Sequence, residues 1–420
     1  MRSKKPSEPA QQTEGTQSPA IHSGGDTTIN YGLTPALQDA LAKEIESKSL
    51  ALAEKEELVA KQAQTIRKLQ ASLNNRPADQ SLAVEAKAKL DEGDLDEARG
   101  LLEQSFKSNK LKATEKAEQA AADAFELAKL HEAQLEYYEA QAWHERAVKL
   151  APTNTVYLNE AGLNAQVIGQ NKLAIAHLEK ALERLISANG DEHPHVASIR
   201  NNLGGVWQDL GDPLKAIGYV EKALESDLKT YGENHPKIAI RWNNLGGAWQ
   251  DLGEPQKALE YYERALESDL KTYGTSHPIV AIRWNNLGST WSALGEPLKA
   301  IEYFEKSLEN GLNTYGEGHP KVAIRRNNLG SVWNELGEPK KAIEYFEKAL
   351  KSDLKTYGEN HADVAIDLNN LGRTWQDLGE PKKAIEYYEK ALSTALTCWG
   401  ENHPNTQVIQ NNLDACKASL

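Results

Sequence analysis

Between residue 79 and the carboxyl terminus, large apolar side chains recur at three- and four-residue intervals, the spacing of a helix that buries one face. At about 100° per residue, Trp242, Leu245, Trp249 and Leu252 fall on one side of such a helix and predict its core face. The opposite side carries Ile240, Asn243, Gly247 and Asp251, with Asn244 and Gln250 on its shoulders, a surface that is mostly polar and small. Leu252-Gly253-Glu254-Pro255 reads as a turn, and a second helix runs from Lys257 and Ala258 to Tyr273-Gly274. The pattern then returns. His193, His235, His277, His319, His361 and His403 stand 42 residues apart, as do Trp207, Trp249, Trp291, Trp333 and Trp375. A period of this length marks a chain of stacked helical hairpins rather than separate globular domains.

Within each period, Trp242-x2-Leu245-Gly246-x2-Trp249 followed by Ala258-x3-Tyr262 resembles the tetratricopeptide signature, with Trp in place of Tyr. The closing proline of that signature would fall at Leu270, but it comes eight residues later at Pro278, which lengthens the usual 34-residue unit to 42. His-Pro-x-Val-Ala followed closely by Asn-Asn-Leu, on this period, is similar to the kinesin light chain branch of the family. The alanine of the second helix can be followed through Ala384, Ala342, Ala300, Ala258, Ala216, Ala174, Ala140 and Ala98, with one step of 34 between Ala140 and Ala174 and a proline there at Pro152. The resemblance implies an all-α fold, a right-handed superhelical solenoid of about eight helix-turn-helix units over residues 79–420, the first degenerate. A final helix from His403 would cover the exposed end of the stack.

Ahead of the repeats, residues 1–32 are rich in Ser, Gln, Thr, Gly and Pro and predict a disordered tail, in which Thr27 to Tyr31 could extend as a strand. Residues 33–76 predict a long helix starting at Thr34-Pro35 and ending at Asn74-Asn75-Arg76-Pro77. Ile45, Leu52, Val59, Ile66 and Leu73 recur every seven residues, a coiled-coil seam whose companion positions Leu41, Lys48, Lys55, Gln62 and Leu69 are partly polar. Three uses are open: self-association as a homo-oligomer through residues 41–73, packing on the repeat domain, or a solvated helix.

Composition narrows the function classes. A net charge of −13 weighs against nucleic acid or an anionic membrane as the main partner. Mean hydropathy is −0.63, and the sequence shows neither a signal peptide nor a run long enough to span a membrane, which predicts a soluble protein. Cys398 and Cys416, the two cysteines, read as reduced thiols in a cytoplasmic protein. The periodic histidines suit helix starts, with proline at the first helical position, better than metal, whose ligands must converge on one ion. No nucleotide-binding loop or nucleophile motif occurs, so the sequence predicts neither an enzyme nor a cofactor.

Candidate binding residues lie opposite the core face. Stacking aligns the first helices, so Asn159, Asn201, Asn243, Asn285, Asn327, Asn369 and Asn411 should form a row along the inside of the curve. An amide offers a donor and an acceptor, so such a row could bond the alternating N–H and C=O groups of an extended peptide. In kinesin light chains the asparagines of this motif are implicated in holding cargo peptide backbone, and the resemblance implies the same here. The alternative is that the amides join neighbouring helices, the more so for Asn202, Asn244, Asn286, Asn328 and Asn370. Specificity would reside in Gln208, Gln250, Ser292, Asn334 and Gln376, beside the row Asp209, Asp251, Ala293, Glu335 and Asp377. The acidic row suggests a basic ligand, while Arg241, Arg283 and Arg325 are expected on the groove's edge and leave charge preference open. Two functions are thus carried forward. One is a non-enzymatic scaffold that binds a protein or peptide in its groove. The other is a sensor or regulatory subunit of a bacterial signalling or defence assembly, with residues 26–73 as the output or oligomerisation element.

Overall fold

The computed structural model describes Leu37 and residues 52–74, 81–111 and 117–419. Along them run α1 (Leu52–Asn74), α2 (Ser81–Glu92), α3 (Leu95–Leu111), α4 (Ala117–Ala133), α5 (Tyr137–Leu150), α6 (Thr155–Val167) and α7 (Asn171–Asn189). Then come α8 (Pro194–Asp209), α9 (Pro213–Tyr231), α10 (Pro236–Asp251), α11 (Pro255–Tyr273), α12 (Pro278–Ala293) and α13 (Pro297–Tyr315). The last are α14 (Pro320–Glu335), α15 (Pro339–Tyr357), α16 (Ala362–Asp377), α17 (Pro381–Trp399) and α18 (Pro404–Ala418). From α2 onward each helix packs on its neighbours in sequence, pairing as hairpins from α2/α3 to α16/α17, and α18 closes the stack. Successive first helices also touch, as at α8 and α10 or α14 and α16, while no pair of successive second helices comes as close. The first helices therefore line the inside of the solenoid.

Each element of the 42-residue unit has a local cause. His277 caps α12 by accepting a hydrogen bond from the Ile279 N–H on its ring nitrogen Nδ1 at 3.2 Å, and Pro278 fills the first helical position. His193, His235, His319, His361 and His403 do the same for their helices. The ring is held by stacking on the last aromatic of the preceding helix, Tyr273 on His277 at 4.5 Å and Tyr357 on His361 at 3.7 Å. Between the two, Gly274 takes φ 74, which lets its N–H reach back to Leu270 O and end α11. The periodic histidines are thus N-caps.

Inside the four hairpins from α10/α11 to α16/α17 a glycine of the first helix faces an aromatic ring of the second, where Gly162 and Gly204 of the earlier hairpins face Leu178 and Val220. A Cβ added at Gly288 would lie 2.7 Å from the Phe304 ring, and Gly246 with Tyr262, Gly330 with Phe346 and Gly372 with Tyr388 repeat the arrangement. The rings are buried because the glycines leave them room. The periodic tryptophans are half-buried rather than enclosed, and each is covered by a lysine from the second helix, as Lys257 over Trp249 at 4.0 Å and Lys299 over Trp291 at 4.1 Å.

The heptad seam ahead of the repeats has a partner in the same chain. Ala63, Ile66, Leu69 and Leu73 of α1 are buried in one core with α2, α3 and α4, Gln62 donates to Ala133 O, and Ser72 donates to Glu126 at 2.7 Å. Ile66, Leu73, Gln62 and Leu69 therefore serve the solenoid's own end, and self-association through these four positions gives way to packing on the repeats. The earlier seam residues Leu41, Ile45 and Lys48, the tail over residues 1–32 and the Thr27–Tyr31 segment lie outside the described residues, as do the side chains of Leu52, Lys55 and Val59.

Candidate functional site

Five parallel rows cross the inside surface, one position per first helix. The outermost is aliphatic: Val156, Ile240, Ile282, Ile324, Ile366 and Val408 are each 39–56% exposed, with Ser198 breaking the row at α8. Next comes the asparagine row, then a row of small residues, Gly205, Gly247, Ser289 and Ser331, bounded by Leu163 in α6 and Arg373 in α16. Beyond them run the amides Gln208, Gln250 and Asn334 and the exposed carboxylates of Asp209, Asp251, Glu335 and Asp377. The aliphatic row was missed in the sequence because Ile240 was grouped with its polar neighbours. Its 42-residue recurrence was the available signal.

The asparagines are partly engaged between units. The second asparagine of each motif donates to the first asparagine of the preceding unit: Asn202 to Asn159 at 2.9 Å, Asn244 to Asn201 at 2.8 Å, Asn286 to Asn243 at 2.9 Å, Asn328 to Asn285 at 2.8 Å and Asn412 to Asn369 at 3.0 Å. Each of these first asparagines thus uses its carbonyl oxygen within the stack and keeps its NH2 group. Asn159 turns that group toward Glu160 at 3.2 Å, and Asn243 makes a long contact of 3.5 Å to Asn244. Asn327 departs from the pattern: its NH2 donates to Asp367 in the next unit, and its oxygen is buried with no hydrogen-bond partner. Of the donor and acceptor expected on each asparagine, the oxygen thus has one of its two acceptor positions taken by the following unit.

The amide row is engaged too. Gln208 donates to Asp251 at 2.6 Å, Asn334 to Asp377 at 2.6 Å, and Gln250 to Ser289 at 3.1 Å while accepting from Thr290. Gln376 accepts from the Tyr388 hydroxyl at 3.1 Å, whose pKa burial pushes up to about 12. Gln208, Gln250 and Asn334 couple neighbouring units, while the Gln376 bond lies within its own hairpin, and the exposed carboxylates of Asp251 and Asp377 remain open to solvent.

The arginines expected on the groove's edge are not there. Arg241 and Arg283 are buried and pair with Asp227 at 3.0 Å and Asp269 at 2.8 Å, each on the second helix before. Burial raises the Asp269 carboxyl above its ordinary range even with Arg283 beside it. Arg325 occupies the same place, but Gly311 stands where the aspartate would be, and the guanidinium donates to Ser307 at 2.9 Å. One unit further on the arginine is replaced: Asp367 faces Asp353, and burial together with that second carboxyl pushes Asp367 up to about 8. A helical wheel places these residues by angle alone and cannot show that the preceding second helix covers them.

A cleft of about 670 Å³ opens between the loop after α11 and the last turns of α13, lined by Pro278, Trp284, Asn310 and Asn313. It lies away from the five rows. Among the described residues, no helix is long and apolar enough to cross a membrane.

Compared with known proteins, the chain matches the tetratricopeptide repeat family in five overlapping stretches, residues 152–229, 196–271, 238–311, 279–355 and 326–397, together more than half of its length. Among solved structures, the apo quorum sensor NprR of B. thuringiensis is similar at a TM-score of 0.58 and 14% identity, over 85% of this chain and 98% of that one. A tetratricopeptide repeat protein of Parabacteroides merdae is similar at a TM-score of 0.50 and 16% identity, over 71% and 99%. A kinesin light chain-like protein of Podosopora anserina with nearly identical repeats gives a TM-score of 0.45 and 23% identity, over 49% and 97%. A search of the curated proteins found no match to the chain.

Proposed function

This chain belongs to the tetratricopeptide repeat family, a family of protein–protein interaction scaffolds, and on that premise we propose that it is a non-enzymatic scaffold holding an extended segment of a partner protein against the inside of its first helices. The observation that carries the reading is the asparagine row. Asn201, Asn285 and Asn369 have their oxygens fixed by the following unit and their NH2 groups left over on the concave side. Fixing the oxygen orients the donor before any ligand arrives, which lowers the ordering cost of binding. Each bond contributes about 0.5–1.5 kcal/mol, so several units must act together. The small row beside it, from Gly205 to Ser331, lets a backbone come close.

Aspartate separates the two roles of these residues. Asn201→Asp, Asn285→Asp and Asn369→Asp together keep an oxygen for the neighbouring asparagine and remove the outward donor. Peptides selected on the full chain from a displayed random library should bind this variant at least tenfold more weakly while its melting temperature stays close to wild type. Selected peptides that bind both proteins equally would remove the groove from the reading.

A further inference from the structure

The inside surface is chemically one-sided, and this fixes the conformation and side chains of what it holds. That consequence rests on the groove being the binding site, as proposed above. Away from Asn327, the first asparagines keep NH2 groups for a ligand while each oxygen already accepts a bond from the next unit, so the row engages a ligand chiefly through backbone carbonyls. Packed helices repeat at about 8–10 Å, so carbonyls are wanted at that step. A polyproline II segment rises about 3.1 Å per residue with three residues per turn, which brings an equivalent carbonyl and an equivalent side chain round every ~9 Å. Its backbone makes no internal hydrogen bonds, so those carbonyls are free. A β-strand alternates faces every second residue and would turn the third away. An α-helix has the wrong carbonyl chemistry, since its carbonyls already accept bonds within the helix.

The rows flanking the donors specify the side chains. Ile240, Ile282 and Ile324 form an exposed aliphatic line with one position per unit, beside the asparagine row. On the other flank Asp209, Asp251 and Glu335 are exposed carboxylates, and with Arg241, Arg283 and Arg325 buried their charge is not offset by those arginines. Arg373 is the cation on these rows, at the far end. We propose that the groove takes a left-handed polyproline-type segment with an aliphatic side chain at every third position and lysine or arginine among the others.

The test uses the full chain and the same displayed random library. The expected result is a consensus in which aliphatic residues recur every third position, prolines are enriched, and the remaining positions are net basic. The best selected peptide, made synthetically and labelled, should lose at least tenfold in affinity against Ile240→Ser/Ile282→Ser/Ile324→Ser. It should also weaken by at least tenfold between 50 and 500 mM salt, as contacts to exposed carboxylates require. A groove-dependent consensus that is acidic, alternating or heptad-spaced would overturn the inference and leave the scaffold reading standing. Binders indifferent to the asparagine-to-aspartate variant would overturn both.

Discussion

The Asp353–Asp367 contact predicts an unusual dependence of stability on pH. In the two earlier units the equivalent places hold Asp227 with Arg241 and Asp269 with Arg283, each a buried pair of opposite charge. At Asp367 two carboxyls meet in the same surroundings, with Asp363 on the same helix adding a further negative charge and the Asn327 amide donating to it. Two buried carboxylates this close cannot both ionise cheaply, so one keeps its proton. The sign follows from linkage. Asp367 titrates near 3.8 when exposed and at about 8 in the fold, so between those values the folded chain holds a proton that the unfolded chain has lost. Stability is therefore fully present below about pH 4 and is lost progressively as pH rises to about 8. About four units at 1.36 kcal/mol each place the loss on the order of 5 kcal/mol. Asp367→Asn removes the titration and keeps a group that can meet both Asn327 and Asp353. Urea unfolding of wild type and variant at pH 5, 7 and 9, with hydrogen exchange read across α15 and α16, isolates this group from all the others. The two proteins should be similar at pH 5 and the variant several kcal/mol more stable at pH 9. A difference between them that stays constant across the range would refute the shared-proton account.

Two further outcomes follow from the packing. Gly288→Ala places a methyl group 2.7 Å from the Phe304 ring and should destabilise the chain by about 1–3 kcal/mol in chemical denaturation, with Phe304→Leu in the same chain recovering part of the loss. His277→Ala removes the cap on α12 and should cost about 1 kcal/mol, whereas His277→Asn, which can accept from the same N–H, should recover most of it.

Much of the fold was legible because it rests on spacing. The 42-residue recurrence of His277, Leu287, Trp291 and Ala300 determines helix starts, buried faces and turns one unit at a time. What was not legible depends on which surfaces meet. A seven-residue seam reads as a coiled coil whether its partner is a second copy or α4 of the same chain, and Ile66 and Leu69 found the latter. Arg241 lies at an angle that suggests a groove edge until α9 is placed over it. The asparagine row was identified by residue type, but the orientation of each amide follows from its neighbour in the adjoining unit, information that a single helix does not hold. Asp367 was visible as an acidic departure immediately after Arg241, Arg283 and Arg325 at 42-residue spacing, and Gly311 as a departure among Asp227, Asp269 and Asp353.

The amide links between units also have a direction: every complete repeat carries a plug on one side, such as Asn244, and a socket on the other, such as Asn243. Couplings of that kind tolerate changes of length made in whole periods. Excising residues 236–277 would bring Asn286 against Asn201 with the same chemistry it now finds at Asn243, so unequal exchange between near-identical copies can shorten or lengthen the array without a seam. The junction at Asn327 is the exception, since its socket is empty, and a duplication carrying it would copy the defect along with the repeat.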